Sequence, residues 1–438
     1  MSRRLSSLPS LSSLRPLGRR DFALVWSAAL VSNIGSWMQT VAVGVLVTAR
    51  TNQAGWTGLV AAAAFLPMGL LSPVGGAMAD RVDRRRWLLL TTVGETSFAT
   101  LLAVLAATGH ASSTAVTLVV LGGGIMTALG FPAYQAILPD LVAREDLLGA
   151  ISLSSAQYNL GRVVGPALAG LVLALGSYTW AFALNAASFG AVMVALLLVR
   201  VPLQAPAADA DSTTLWARIA TGIRAAAAEP GCRLAIATIA LTALLLSPFI
   251  ALIPAVAVKL FRSGETGTSV LVTAQGVGAV AGALLLAPVA RRFGRRRVLV
   301  ANLAAVAVTI VLYASTPSLG LAAVALAAVG AAYIGILSGL NTVVQLRAPT
   351  AYRARILSLY MVALGTVYPL GAVVQGFLGD RFGVRLVTAG GALLYLALVV
   401  AVRLARPGLV TAFDDPVPPP KGATVQSASP PAAAGTIA

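Results

Sequence analysis

The chain of 438 residues is 58% hydrophobic and only 10% charged, with a mean hydropathy of +0.88. A soluble globular protein carries about 25% charged residues, so a cytosolic enzyme, a secreted domain and a disordered chain are all excluded. The formal charge of +17 would mark a nucleic-acid surface in a soluble protein; its meaning here depends on where the charges sit.

The N-terminal segment, 1–21, is rich in Ser, Arg and Leu and has no short apolar core followed by a cleavage site, so it does not read as a secretory signal. Apolar runs then recur along the chain at 22–49, 55–79, 87–109, 114–138, 148–175 and 179–199. After a break they resume at 233–258, 268–290, 298–315, 318–346, 356–379 and 384–405. Each suits a helix crossing the hydrocarbon core, which needs about 20 residues, whereas a spanning strand needs only ~10. The break, 201–232, starts rich in Pro, Ala and Asp and continues as a surface helix. Ser212 is its candidate cap, and Leu215, Trp216, Ile219 and Ile223 share one face. The tail, 406–438, is proline-rich and reads as disordered.

These runs predict an all-α membrane protein of twelve transmembrane helices, six in 22–200 and six in 233–405. With the N-terminus inside, twenty-five basic residues fall on the inner side and five, Arg50, Lys259, Arg262, Arg381 and Arg385, on the outer side. That bias places both termini in the cytoplasm and removes the nucleic-acid reading. Cys232 and His110 stand alone, so no Cys/His metal site forms. Neither Lys259 nor Lys421 completes a P-loop. Gly276, Gly278 and Gly282 lie in an apolar run and read as close helix packing rather than a dinucleotide loop. No cofactor or metal is implied.

The halves echo each other. Arg84-Arg85-Arg86 recurs as Arg295-Arg296-Arg297, and Gln135 and Pro139 as Gln345 and Pro349, each about 210 residues on. Two related bundles supply what alternating access requires, a pair of bodies able to rock about a central site. Gly76-Ala-Met-Ala-Asp80-Arg81-Val-Asp83-Arg84-Arg85 resembles the G-x-x-x-D-R-x-G-R-[RK] pattern of the major facilitator superfamily, departing only at Asp83. The C-half equivalent, Arg291-Arg292-Phe-Gly294-Arg295-Arg296, keeps the Gly and loses the Asp. Gly161-Arg-Val-Val-Gly165-Pro166-Ala-Leu-Ala-Gly170 is similar to the GxxxGPxxxG stretch of exporters in this superfamily. Asn33-Ile-Gly35-Ser36-Trp37-Met38-Gln39 resembles the enterobactin-exporter and macrolide-efflux branch, of transmembrane secretion effector type.

The resemblance implies two pseudo-symmetric six-helix bundles and a monomeric secondary transporter in a bacterial inner membrane, contacting lipid. It further implies export of amphipathic small molecules, with protons as the coupling ion. The basic residue on span 4 common among proton-coupled drug antiporters of the superfamily has no counterpart in 114–138. A nutrient importer or uniporter and a non-transporting membrane sensor are the alternatives.

The resemblance also implies a gate at Gly76, Asp80, Arg81, Arg84 and Arg85. Asp80 is expected to meet free N–H groups at the start of span 11, near Arg353–Ile356, in the outward-facing state. A topology anchor of positive charge is the alternative role, and the favoured one for Arg85 and Arg86. Gly161, Gly165, Pro166 and Gly170 pack span 5 closely, either between bundles or within one. Glu95 is the only carboxylate and Arg162 the only basic residue well inside a span. Glu95 is a proton carrier, a substrate contact or a structural partner of Arg162, while Arg162 alternatively reaches the cavity. The cavity of this fold is lined by spans 1, 4, 7 and 10. That draws attention to Asn33, Ser36, Trp37 and Thr40; Phe131 and Tyr134; Thr238 and Thr242; and Ser338, Asn341 and Gln345, with interhelical hydrogen bonding as the alternative role. Gly376-Phe-Leu-Gly-Asp380-Arg381-Phe-Gly383 also fits the loop 2–3 pattern. By topology it is an outer helix end with an ion pair.

Overall fold

The computed structural model describes residues 11–175, 177–199, 215–349 and 352–414. Six long helices come first: α1 (Arg20–Thr51), α2 (Ala54–Arg81), α3 (Arg84–Ala107), α4 (Ser113–Ile137), α5 (Leu147–Ala174) and α6 (Tyr178–Leu198). A shorter helix, α7 (Leu215–Ala228), follows. The second half holds α8 (Pro230–Leu245), α9 (Phe249–Lys259), α10 (Gly264–Phe293), α11 (Arg295–Ser315), α12 (Leu319–Arg347), α13 (Arg353–Phe382) and α14 (Val384–Ala405). Eleven segments are long and apolar enough to cross a membrane, α8 and α9 counting as one. The twelfth expected span, α5, is a 28-residue helix but is less apolar, because Gln157, Asn159 and Arg162 lie within it.

Packing repeats between the halves. In the first, α1 packs on α5 and α6, α3 on α4 and α6, and α2 on α4. In the second, α8 packs on α13 and α14, α11 on α12 and α14, and α10 on α12. Each helix thus finds the neighbours of its counterpart six spans earlier. The halves meet chiefly through α2 on α13 and α5 on α10. Separate apolar cores fill each bundle, one around Val43, Leu102 and Phe182, the other around Ile239, Leu303 and Leu326. Large apolar side chains such as Leu171, Val324 and Leu404 stay exposed on the outside, as expected for helices facing hydrocarbon.

Local chemistry sets the ends. Gly294 and Gly383 have φ of +87° and +90°, turns that favour glycine, and each closes one helix while opening the next. Asp83 occupies the equivalent place in loop 2–3 with φ −53°, and its Oδ1 accepts the Arg86 N–H at 2.8 Å. The departure from the family pattern therefore replaces a glycine turn by an N-cap.

Two expectations change. The run 233–258 is two helices, because Pro248 supplies no N–H and the chain breaks between Leu245 and Phe249. Freed polar groups there are satisfied locally: the Ser247 hydroxyl pairs with the Tyr333 hydroxyl at 2.8 Å, and Gln375 Nε2 donates to the Leu244 and Leu245 carbonyls. Residues 407–413, read as part of the disordered tail, form a 3-10 helix. Phe413 is buried there and Asp414 pairs with Arg296. The surface helix of the linker is present as α7, but Ser212 and the side chains of Leu215, Trp216 and Ile219 lie outside the described residues, as do 1–10 and 415–438.

Candidate functional site

One end of the molecule is shut by a carboxylate that caps a helix from the opposite half. The N-cap residue of α2, Gln53, makes no side-chain cap bond, which leaves the first N–H groups of α2 in need of acceptors. Asp380, at the end of α13, supplies them. Its Oδ1 accepts Ala54 N–H at 2.6 Å and its Oδ2 accepts Gly55 N–H at 2.7 Å. Lys259 Nζ, at the end of α9, donates to the same Oδ1 at 2.9 Å. Close approach depends on missing side chains: a β-carbon at Gly376 would lie 2.7 Å from the Ala54 carbonyl oxygen, and one at Gly55 would meet the Phe377 ring. Beside this latch the Tyr178 hydroxyl donates to Glu265 Oε1 at 2.6 Å, and Gly170 packs on Ser269, joining α6 and α5 to α10.

The halves separate toward the Arg-rich end. Along α2, Gly58 faces Ala372 and Gly69 faces Gly365 and Thr366, all on α13. Beyond them, Gly75 faces Leu129 of α4, and Gly76 has only Pro132 nearby, at 3.9 Å. On α10, Gly276 touches Val163 of α5, while Gly278 and Gly282, on another face, meet Ala327 and Ala331 of α12. Asp80 and Arg81 are exposed and form no ion pair among the described residues. Arg84 bonds Asp140 at 3.3 Å, and Arg85 donates to the Leu196 carbonyl and, at 2.7 Å, to the Leu197 carbonyl, capping α6. In this state the two arginines are held within their own bundle, and Asp80 is free of α13.

The roof of the opening lies where both helix pairs part. Arg162 is buried there, its Cζ 5.5 Å from the centre of the Trp37 ring. Trp37 meets Tyr158 edge to face at 6.0 Å. Gly161 and Gly165 make this possible: β-carbons there would strike Asn33 and Trp37, so these glycines seat α5 on α1 within one bundle. Gly170 alone of the three packs across the halves, and Pro166 is buried between them in sequence. Tyr368 of α13, in the other half, is buried at the α2 contact. Tyr368 also stacks edge-on against Phe65 of α2 at 5.7 Å.

Other sequence candidates are placed as follows. Glu95 does not meet Arg162; its Oε1 accepts the Thr127 hydroxyl at 2.6 Å, between α3 and α4. Ser36 accepts the Thr40 hydroxyl at its carbonyl, and Asn33 abuts α5. Phe131 is 45% exposed, while the Tyr134 hydroxyl reaches Gln157 Oε1 at 3.4 Å. Thr242 is fully buried and contacts the Tyr395 hydroxyl at 3.1 Å and the Thr238 carbonyl, so it faces α14 rather than an opening. Gln345 donates to Asn341 Oδ1 at 2.6 Å, and Ser338 accepts the Thr342 hydroxyl at its carbonyl. The residues missed by the sequence reading are Phe65, Tyr333, Tyr368, Ser247 and Gln375. A search for polar stripes passes over aromatic residues in apolar runs. Pro248, in mid-run, was the available signal for Ser247 and Gln375.

Residues 11–419 match the model of the family described as transmembrane secretion effector. The chain belongs to that family. The transmembrane secretion effectors are major facilitator transporters rather than enzymes, and this one is a multi-pass membrane protein. It is 29% identical over 399 residues to the multidrug efflux pump Tap of Mycolicibacterium fortuitum, covering 89% of this chain and 96% of Tap. It is also 29% identical over 412 residues to the enterobactin exporter EntS of Escherichia coli O1:K1 / APEC, covering 90% of this chain and 95% of EntS. Among solved structures it shares the fold of a bacterial homologue of the human lysosomal transporter Spinster, inward-facing and occupied, with TM-score 0.70 at 15% identity. That match covers 90% of this chain and 98% of the other.

Proposed function

We propose that this transmembrane secretion effector exports amphipathic small molecules across the bacterial inner membrane by rocking its halves about the α2–α13 and α5–α10 contacts. The observation that carries the reading is a pair of matched devices on the two interface helices. Asp380 ends α13 and caps the start of α2. Asp80 ends α2 in the same kind of sequence, at the opposite end of the interface, where it is exposed. Only the first is engaged. Closing the Arg-rich end brings Asp80 to the N–H groups near Arg353–Ile356 while Asp380 lets go, so each state is held by one carboxylate on one helix start.

The Arg-rich end is cytoplasmic by the positive-inside rule, which makes the described state open to the cytoplasm and ready to load an export substrate. The efflux roles of Tap and EntS support the direction. The transporter acts as a monomer in contact with lipid, and proton antiport drives it, with Glu95 as the one carboxylate deep within a span. The test is a proteoliposome assay with an imposed pH gradient. Solute movement opposite to the proton gradient supports export, and movement only in the direction of the protons would favour an importer.

A further inference from the structure

Arg162 is the only charged residue classed as buried among those described, at 9% exposure, and it has no counter-ion. Its Nε is buried without a hydrogen-bond partner, and no salt bridge reaches it. An arginine cannot escape by losing its proton, and an unpaired buried charge costs several kcal/mol. No carboxylate among the described residues pairs with it. Of fourteen acidic residues only Glu95 lies well inside a span, and it is bonded to Thr127 on a different face of the bundle. What the guanidinium meets instead is aromatic: the Trp37 ring, itself packed edge to face on Tyr158. Tyr158 stays 46% exposed although it lies against Trp37 at this depth, so its ring borders the opening.

We infer that Arg162 is the recognition point for the anionic group of the transported molecule, and that the substrate class is a planar aromatic carrying a carboxylate or a comparable oxyanion. The guanidinium fork matches two carboxylate oxygens. The flat aromatic body packs on the Trp37 and Tyr158 rings. A ligand held in this way rests on α1 and α5 beside α10 of the other half, whose Gly276 lies against Val163, so its binding favours the arrangement in which the halves approach. The inference rests on the transport reading and deepens it by naming the solute.

The test uses the full chain in zwitterionic-lipid nanodiscs, with tryptophan quenching by three matched probes: 2-naphthoate, neutral 2-naphthalenemethanol and cationic 2-naphthylmethylammonium. Wild type should bind the anion at least about tenfold more tightly than the cation, the discrimination of one charge-assisted pair. Arg162→Gln should erase that preference, and Arg162→Lys should retain part of it. Because the substitution removes an unpaired buried charge, Arg162→Gln should melt no lower than wild type in the absence of probe. Three results would overturn the inference. One is equal binding of anion and cation by wild type. Another is an unchanged preference in Arg162→Gln, or its failure to fold, which would make the arginine structural. The last is loss of naphthoate binding on changing to anionic-lipid nanodiscs, which would assign the arginine to lipid phosphate. Efflux of the cationic probe from proteoliposomes that lack anion preference would leave the exporter reading standing while this inference falls.

Discussion

Replacing Asp380 by alanine should release the shut end of the molecule. The substitution removes two hydrogen bonds from backbone N–H groups to a carboxylate, at 2.6 and 2.7 Å, and one ion pair to Lys259 at 2.9 Å. Hydrogen bonds to a charged group contribute about 1.5–3 kcal/mol each. The side chains of Asp380 and Lys259 are each 23% exposed, so water replaces part of the loss and the ion pair itself adds under about 1 kcal/mol. A net shift of about 3 kcal/mol follows, roughly a hundredfold in the balance between the two states. A protein resting about 99:1 in the described state would become nearly evenly divided. Spin labels at Gln53→Cys and Arg381→Cys, both exposed and next to the latch, report this directly. The background is Cys232→Ala, a small change at a buried free thiol. A second, longer distance population should appear in Asp380→Ala. An unchanged single population would refute the assignment of Asp380 as the element that holds this end.

Further expectations concern other parts of the molecule. Asp80→Asn should leave the described state intact, because Asp80 has no ion-pair partner there among the described residues, yet slow turnover several-fold by weakening the opposite state; equal turnover would remove Asp80 from the cycle. Glu95→Gln should cut pH-driven efflux at least tenfold while preserving gradient-free exchange, since the Thr127 hydroxyl still has an acceptor. Unchanged pH-driven efflux would exclude Glu95 as the sole proton carrier. Gly278→Val places a side chain against the Ala327 carbonyl of α12; overpacking of this kind costs about 1–3 kcal/mol, to be read as a lower melting temperature, and an unaltered melt would contradict the α10–α12 contact. Cysteine labelling from the cytoplasmic side should reach Arg84→Cys and not Arg381→Cys, and the reverse pattern would invert the orientation.

Much of the fold is legible from run length, because a membrane span is defined by hydrocarbon thickness and the apolar runs are long. The weak twelfth span follows from the same chemistry: α5 carries Gln157, Asn159 and Arg162, polar side chains that are costly within a span. The interruption after Leu245 was less visible, since Pro248 can equally kink a helix as break it. Pairing of Glu95 with Arg162 failed for a geometric reason. Depth along a helix says nothing about azimuth, and α3 packs on α4 and α6 whereas α5 packs on α1 and α10. Asp380 was readable as an ion-paired helix end. Its acceptance of the Ala54 and Gly55 N–H groups was not, because those bonds join residues 326 and 325 positions apart. The glycines on α5 were ambiguous for a similar reason: Gly161 and Gly165 serve α1 and Gly170 serves α10, and a shared spacing does not show which neighbour each one meets.

The central claim is that export requires the Asp380 end to open and shut. Its most direct test is a short bismaleimide cross-link between Gln53→Cys and Arg381→Cys in the Cys232→Ala background, with efflux of 2-naphthoate or the cationic naphthyl probe followed in the same proteoliposomes. Cross-linked transporter should lose efflux while either single-cysteine variant, treated identically, keeps it. Efflux that persists at full cross-linking would contradict the account.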